Sequence, residues 1–362
     1  MKPQGLWLFF ISFFPIVAFA ASSNTQVDEC IGNLRLKFPG QVEVAANTGE
    51  VLIDEHKIRT IQPKFEFVDG ERAGWTSIGY GGNIFVSHTL SEEQKSKLMV
   101  LQKKMLHMAQ SVGKTKMDKD SGFEKIEMGQ RIGFAARAGT SFTASLFLND
   151  HMIWRQSTVS KNAVADTKGE FDNFIKSVEF RAIGVVPTTK GLCLPYFFIS
   201  GEGRDERARG RISSTYRLKS HPDVTIWIED SDAGVYPDKQ VEEANRPINQ
   251  VNDFWSQYEI LPGISKIDSE WHLPAARKVQ VNGGDGIASF VKIKRKSGAV
   301  DYGYMAAVRG DTKDGQRSSD IKFYVIRNSE NSLRKNVEPI GKNEFLKISE
   351  EIVSTIKGNL GH

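Results

Sequence analysis

At 362 residues the chain is long enough for two domains or one large one. Its 40% hydrophobic and 25% charged content is ordinary for a globular protein, which excludes wholesale disorder, a collagen-like fibre and a polytopic membrane protein. Lys and Arg number 48 against 44 Asp and Glu, a formal net charge of +4 spread evenly over both halves, so neither nucleic acid nor an anionic membrane is an expected partner.

The first segment reads as an address. Lys2 supplies a positive start, residues 6–19 are almost wholly apolar, and Ala18-Phe19-Ala20 places small residues at −3 and −1 of a cleavage after Ala20. Residues 1–20 are therefore expected to be a secretory signal peptide. The alternative, an uncleaved anchor, needs roughly 20 apolar residues, and this run falls short. The expected compartment is the periplasm, with no membrane insertion of the product once the leader is removed.

After Cys30, Leu34-Arg35-Leu36-Lys37-Phe38 alternates like a half-buried strand and stops at Pro39-Gly40. Residues 70–82 are glycine-rich and read as a loop. Ser91-Glu92-Glu93-Gln94 fits a capping box, and Leu98, Leu101, Met105 and Met108 continue one helical face. Residues 131–137, 141–148 and 152–159 read as successive antiparallel strands, with Asn149-Asp150 as the turn between the last two. Thr167-Lys168-Gly169-Glu170 opens a helix that carries Phe171, Phe174, Ile175 and Val178. Gly184-Val185-Val186-Pro187-Thr188-Thr189-Lys190-Gly191 follows and marks the boundary between two domains, 21–186 and 187–362.

The second half repeats the order. Leu192-Cys193-Leu194 and Tyr196-Phe197-Phe198-Ile199 form an apolar strand region beside a cysteine. A helix is expected over 242–258, with Pro247 either in its first turn or breaking it. Residues 279–281, 286–294, 301–309 and 321–327 read as a strand meander. Phe345, Ile348, Ile352 and Ile356 share one face of a closing helix that ends at Lys357-Gly358. The predicted fold class is α+β: two similar domains, each an antiparallel sheet or meander packed with a few helices.

Little chemistry is written in the motifs. There is no G-x-S-x-G elbow, no phosphate-binding loop and no H-E-x-x-H. The seven histidines are scattered without metal-ligand spacing, and no cofactor or metal is expected. Asn282-Gly283-Gly284-Asp285-Gly286 reads as a hairpin turn, because β-like residues follow it where a phosphate cradle needs a helix. Residues 203–211 mix both signs and read as a solvated loop, or as a partner-facing loop whose arginines fork onto carboxylates. Cys30 and Cys193 are either one disulfide joining the starts of the two halves or two buried thiols at equivalent places.

Several segments carry a resemblance. They are Cys30-Ile31-Gly32-Asn33-Leu34 leading to Phe38-Pro39; Gly191-Leu192-Cys193 leading into Tyr196-Phe197-Phe198-Ile199; and Ala275-Ala276-Arg277-Lys278-Val279 with Val281-Asn282-Gly283-Gly284-Asp285-Gly286. In these the chain resembles the two-domain periplasmic immunity proteins that protect bacteria from type VI secretion lipase effectors. The resemblance implies a non-enzyme that binds a cognate phospholipase between two jaw-like halves. Interfaces of that kind depend on a few aromatic and arginine anchors, and the candidates are Arg207, Arg209, Arg211, Trp271, Tyr302 and Tyr304. Two other readings stand beside it. One is a periplasmic ligand-binding or envelope-associated protein with a sizeable apolar pocket. The other is an exported hydrolase in which folding brings Ser87 or Ser141 to a distant histidine.

Overall fold

Leu34, Leu36 and Phe38 point inward and Arg35 and Lys37 outward, and the strand they make pairs with the one before it as a hairpin. In this computed structural model, which describes residues 26–49, 64–113, 122–129, 131–138, 140–158, 164–201, 210–232, 239–271, 275–310 and 319–358, that hairpin is β1 (Val27–Ile31) and β2 (Leu34–Phe38). The expected signal peptide lies outside the described residues.

Short strands follow: β3 (Val42–Val44), β4 (Ala46–Asn47), β5 (Phe65–Glu66), β6 (Ile78–Gly79) and β7 (Asn83–Val86). Helix α1 (Glu92–Gly113) opens on the expected capping box, since Ser91 N donates to Gln94 Oε1 at 2.9 Å and Gln94 N donates to Ser91 Oγ at 3.2 Å. Its Leu98 and Leu101 are buried, whereas the side chains of Met105 and Met108 lie outside the described residues.

The first meander is β8 (Gly122–Met128), β9 (Arg131–Ala138), β10 (Ser141–Leu148) and β11 (His151–Thr158). The turn before β11 has positive φ at both Asn149 (45°) and Asp150 (64°), the backbone a two-residue hairpin loop requires. Helix α2 (Val164–Ser177) begins three residues ahead of its expected cap. Thr167 is a buried position inside it, so its hydroxyl does not start the helix, while Phe171, Phe174 and Ile175 are buried as expected.

β12 (Val178–Phe180), β13 (Gly191–Leu194) and β14 (Phe197–Ser200) form a small sheet in the order β12-β14-β13. The rest of the second half is β15 (Arg211–Leu218), β16 (Val224–Asp232), α3 (Lys239–Ala244), α4 (Pro247–Glu259), β17 (Ile264–Ser269), β18 (Ala276–Val281), β19 (Gly284–Arg295), β20 (Val300–Val308), β21 (Ser319–Arg327), α5 (Ser329–Arg334), α6 (Lys342–Thr355) and β22 (Lys357–Gly358). Pro247 breaks the expected single helix and sits in the first turn of α4.

One antiparallel sheet of 14 strands gathers both meanders, in the order β17-β19-β20-β21-β16-β15-β6-β7-β11-β10-β9-β8. β18 lies beside β19, and β3 lies beside β15. Each meander carries a helix on either face. In the first half Leu98 of α1 joins Phe85, Phe147 and Trp154 on one side, and α2 covers the other. In the second half α4 covers one face through Val251 and Trp255, and α6 the other through Phe345, Ile348 and Ile352. The faces covered by α2 and α6 merge into a single apolar core that also takes in β1 and β2.

The halves are stitched as well as stacked. Cys30 and Cys193 are joined by a disulfide across a separation of 163 residues, with both sulfurs buried. Gly32 and Cys193 exchange backbone hydrogen bonds, each 2.8 Å. Beside them Arg181 and Glu29, both buried, form an ion pair at 2.5 Å. The remaining Arg181 N–H groups donate to the carbonyls of Cys30, Val185, Leu194 and Phe197. A charge this deep is tolerable because its donors are satisfied. At the far end of the chain β22 pairs with β2, and the Lys37 amide donates to Thr355 Oγ1 at 2.9 Å.

Candidate functional site

The central sheet ends where β15 begins and β16 finishes, and charged side chains collect there on both faces. Strand alternation puts Arg211 and Ser213 on one face of β15 and Ile212 and Ser214 on the other. Ser213 stands opposite Glu229 of β16, and Glu229 stands opposite Lys322 of β21. Arg211 Nε lies 2.5 Å from one Glu229 oxygen and Lys322 Nζ 3.3 Å from the other. Glu229 is buried, and burying a carboxylate is strongly unfavourable unless cations share it; here two do.

On the opposite face Asn33, Tyr80, Leu192, Gly210, Ile212, Asp230 and Asp232 line a small cleft that is open to solvent. Asp230 Oδ2 accepts from the Asn33 amide at 2.6 Å and from Asn33 Nδ2 at 2.9 Å. Asp232 accepts from the Gly210 amide at 2.9 Å. Gly32 has φ +58°, and a Cβ there would lie 2.2 Å from Asp230 Oδ2, so only glycine lets the β1–β2 turn come so close. Back on the Glu229 face, Asp320, opposite Ser231, accepts from the Gly310 amide at 2.8 Å, and burial pushes its carboxyl above the usual range. Among the described residues no group of three or more His, Cys, Asp or Glu is placed to hold a metal ion.

The six anchor candidates separate. Arg211 is exposed and sits at the rim of this region. Arg207 and Arg209 lie outside the described residues. Trp271 is 7% exposed, edge-on to Phe290 and Tyr304, with the Arg277 guanidinium 4.3 Å over its ring. Tyr304 is 1% exposed, and Tyr302 is half-buried under Arg327 and against Phe290 and Phe345. These three aromatics build the core beneath α6, which leaves Trp271 and Tyr304 almost no surface for a partner. The reason is period two: Tyr302 and Tyr304 share the face of β20 that α6 covers, while a Cβ on Gly303 would strike Trp255 of α4 at 2.4 Å.

Sequence reasoning passed over Trp75. The residue is 39% exposed, and its ring lies 6.1 Å from that of Phe254. The signal was present, a lone tryptophan in the glycine-rich stretch read as a loop.

The serines of the hydrolase reading meet a backbone amide and a threonine. Ser87 Oγ accepts from the Met152 amide at 2.7 Å, and His151 Nδ1 meets the Ser87 carbonyl at 3.0 Å. His151 is stacked on Tyr196 at 4.2 Å, and burial pulls its pKa down. Ser141 Oγ lies 3.3 Å from Thr158 Oγ1. A nucleophile needs its hydroxyl on a base, and these hydroxyls are turned elsewhere.

The fold and the sequence have known counterparts. No curated protein matches the chain. Among solved structures, the apo form of the T6SS immunity protein TplEi from Pseudomonas aeruginosa shares the fold at TM-score 0.51, with 14% identity over 93% of this chain and 98% of that one. The crystal structure of the Tle4–Tli4 complex contains a chain that matches at TM-score 0.52, with 15% identity over 93% and 98%. At these identities the likeness concerns fold. The sequence itself matches the family model of the Tle cognate immunity protein 4 C-terminal domain over residues 185–358. By that match residues 185–358 form a domain of the Tle cognate immunity protein 4 C-terminal family.

Proposed function

We propose that the chain is an exported, non-enzymatic immunity protein that binds a cognate type VI secretion phospholipase effector and blocks it, protecting the producing cell from itself and its siblings. The observation that carries this is the family match over residues 185–358, supported by the shared fold of a chain crystallised as the Tle4–Tli4 complex. The leader-like residues 1–20 and the buried Cys30–Cys193 bond accord with a periplasmic site of action, where disulfides persist. The orientation of Ser87 and Ser141 toward backbone and threonine supports binding rather than turnover. We read the protein as two units, 21–186 and 187–362, that act as one rigid binding body because a shared sheet and core join them.

The test is a phospholipase assay with the effector encoded beside this chain and increasing amounts of the purified, leader-free protein. Activity is expected to fall linearly to zero near one equivalent, with no lipid turnover by the chain alone. Full effector activity at several-fold excess of the chain, with no co-elution, would overturn the reading.

A further inference from the structure

An open tryptophan and a pre-set arginine share the α4 face of the main sheet. The Trp75 carbonyl accepts from the Trp227 indole at 3.0 Å and from the Ser213 hydroxyl at 3.0 Å, which fixes the loop and leaves the ring outside. That ring meets Phe254 of α4, and behind them Phe254, Tyr324 and Trp227 are packed at 4.9 and 5.0 Å. Glu229 is two residues beyond Trp227 and Lys322 two residues before Tyr324, so Ser213, Glu229 and Lys322 are the next row on the same face, and Arg211, opposite Ser231 in the row beyond, reaches back to Glu229. The Trp75 backbone is tied to this row through Ser213, which stands opposite Glu229, while its ring leans on Phe254.

The electrostatics of the row are lopsided. Glu229 is 1% exposed and Arg211 60%, so the negative charge is sunk and the cation stands in water. Two cations share one carboxylate, which leaves the trio itself at +1, with the buried Asp320 carboxylate, opposite Ser231, on the same face. Arg211 is held by Nε alone, and its two terminal nitrogens have no acceptor among the described residues. A guanidinium oriented by a buried carboxylate and free along its outer edge is prepared for a forked pair with a second carboxylate. Trp and Arg are also the residues in which interface energy concentrates.

We propose that this row is a docking point for the effector: a carboxylate side chain of that protein takes the outer edge of Arg211, and an adjacent apolar side chain covers Trp75 and Phe254. The inference rests on the function proposed above and adds the surface and the chemistry of the partner. One net positive charge beside flat aromatic area is weak for an anionic lipid surface, which needs clusters of basic residues, and it fits a protein patch with one acid beside an apolar group.

The experiment is calorimetric titration of the neighbouring effector with the purified chain and its Trp75→Ala, Arg211→Ala and Arg211→Lys variants, each first checked for an unchanged melting temperature. Trp75→Ala removes the ring and keeps the carbonyl that Trp227 and Ser213 use, and Arg211→Ala leaves Glu229 paired with Lys322, so both are expected to fold. Each alanine variant is expected to weaken binding at least tenfold. Arg211→Lys, which keeps the charge without the fork, is expected to stay weak, and Leu333→Ala, at an exposed position of α5, to bind like the parent. Parent binding with Trp75→Ala and Arg211→Ala both within twofold of it would overturn the docking point while leaving the immunity function intact. No binding by the parent would overturn both.

Discussion

Reduction of the Cys30–Cys193 bond is the perturbation whose size follows most directly from the structure. The bond closes a loop of 163 residues, and the chain-entropy relation gives about 5 kcal/mol for a loop of that length, with native disulfides commonly worth roughly 2–5 kcal/mol. Both sulfurs lie in a dry pocket against Phe198, and the two thiols left by reduction occupy nearly the same volume. Reduction therefore isolates the loop-closure effect, whereas Cys30→Ala with Cys193→Ala adds a small cavity penalty. At roughly 2.1 cal/mol/K of unfolding entropy per residue, a protein of this size moves about 1.4 °C per kcal/mol, so a fall of about 3–7 °C is expected.

The assay is thermal unfolding by circular dichroism with and without reductant, with thiol titration confirming two free sulfhydryls in the treated sample. The reduced protein is expected to keep its spectrum at 25 °C, because β1 and β2 remain held by the Arg181–Glu29 pair, the Gly32–Cys193 backbone bonds and the packing of Phe38 and Leu36. A fully reduced sample that melts within about 1 °C of the oxidised one would refute the argument, since the loop constraint would then be absent from the unfolded ensemble or offset by native strain.

Four other outcomes are expected. Glu29→Gln leaves the Arg181 cation buried without its counterion and should cost about 3–5 kcal/mol in urea unfolding; a loss under about 1 kcal/mol would mean that the carbonyls around Arg181 suffice. Gly32→Ala forces a side chain into a left-handed backbone and against Asp230, for a loss of about 2–4 kcal/mol, and a stable variant would show that the turn can shift. His151 has its folded pKa held below its unfolded 6.5 by burial, so the unfolded chain takes up a proton first as pH falls. Stability should decline below about pH 6.5 by at most about 1.4 kcal/mol per pH unit from this group, and His151→Phe should flatten that slope. Burial works to raise the Asp69 pKa, but the Glu71 amide, Lys335 and Arg217 outweigh it and hold it at about 2. Its contribution is present above the ordinary carboxylate pKa and lost as pH falls toward 2, and because the carboxylate is partly exposed, Asp69→Asn should cost under about 1 kcal/mol at pH 7.

Local chemistry was legible wherever a side chain and its own backbone settle the matter. The Ser91 cap, the Asn149-Asp150 turn, the Pro247 break and the Asn282-Gly283 turn, with φ of 54° and 75°, all depend on neighbours within four residues. The α2 start was missed because residues 164–166 offer no breaker to confine the helix to its best cap. The burial of Trp271 and Tyr304 escaped the sequence for a different reason: aromatic identity says that a residue will bury area, and only the helix lying over a strand says where. Gly303 between Tyr302 and Tyr304 was the available clue, since a glycine inside a strand marks a close approach on its own face and consigns its two neighbours to the other.

What no local rule supplies is the pairing of distant strands. The main sheet passes from one half to the other through β6, two residues long, which meets β15 at Ile78 and Gly79 and β7 at Gly79 alone. No turn specifies that junction; Ser213 does, by holding the segment before it through Trp75 and Ser77. The same contacts set Trp75, from the first half, against Phe254, from the second, on the face that also carries Arg211 and Lys322. The matched family domain, residues 185–358, holds the arginine, the lysine and the phenylalanine but lacks the tryptophan. The row is thus complete only in the joined molecule, and the serine that closes the sheet across the halves is also what builds the surface.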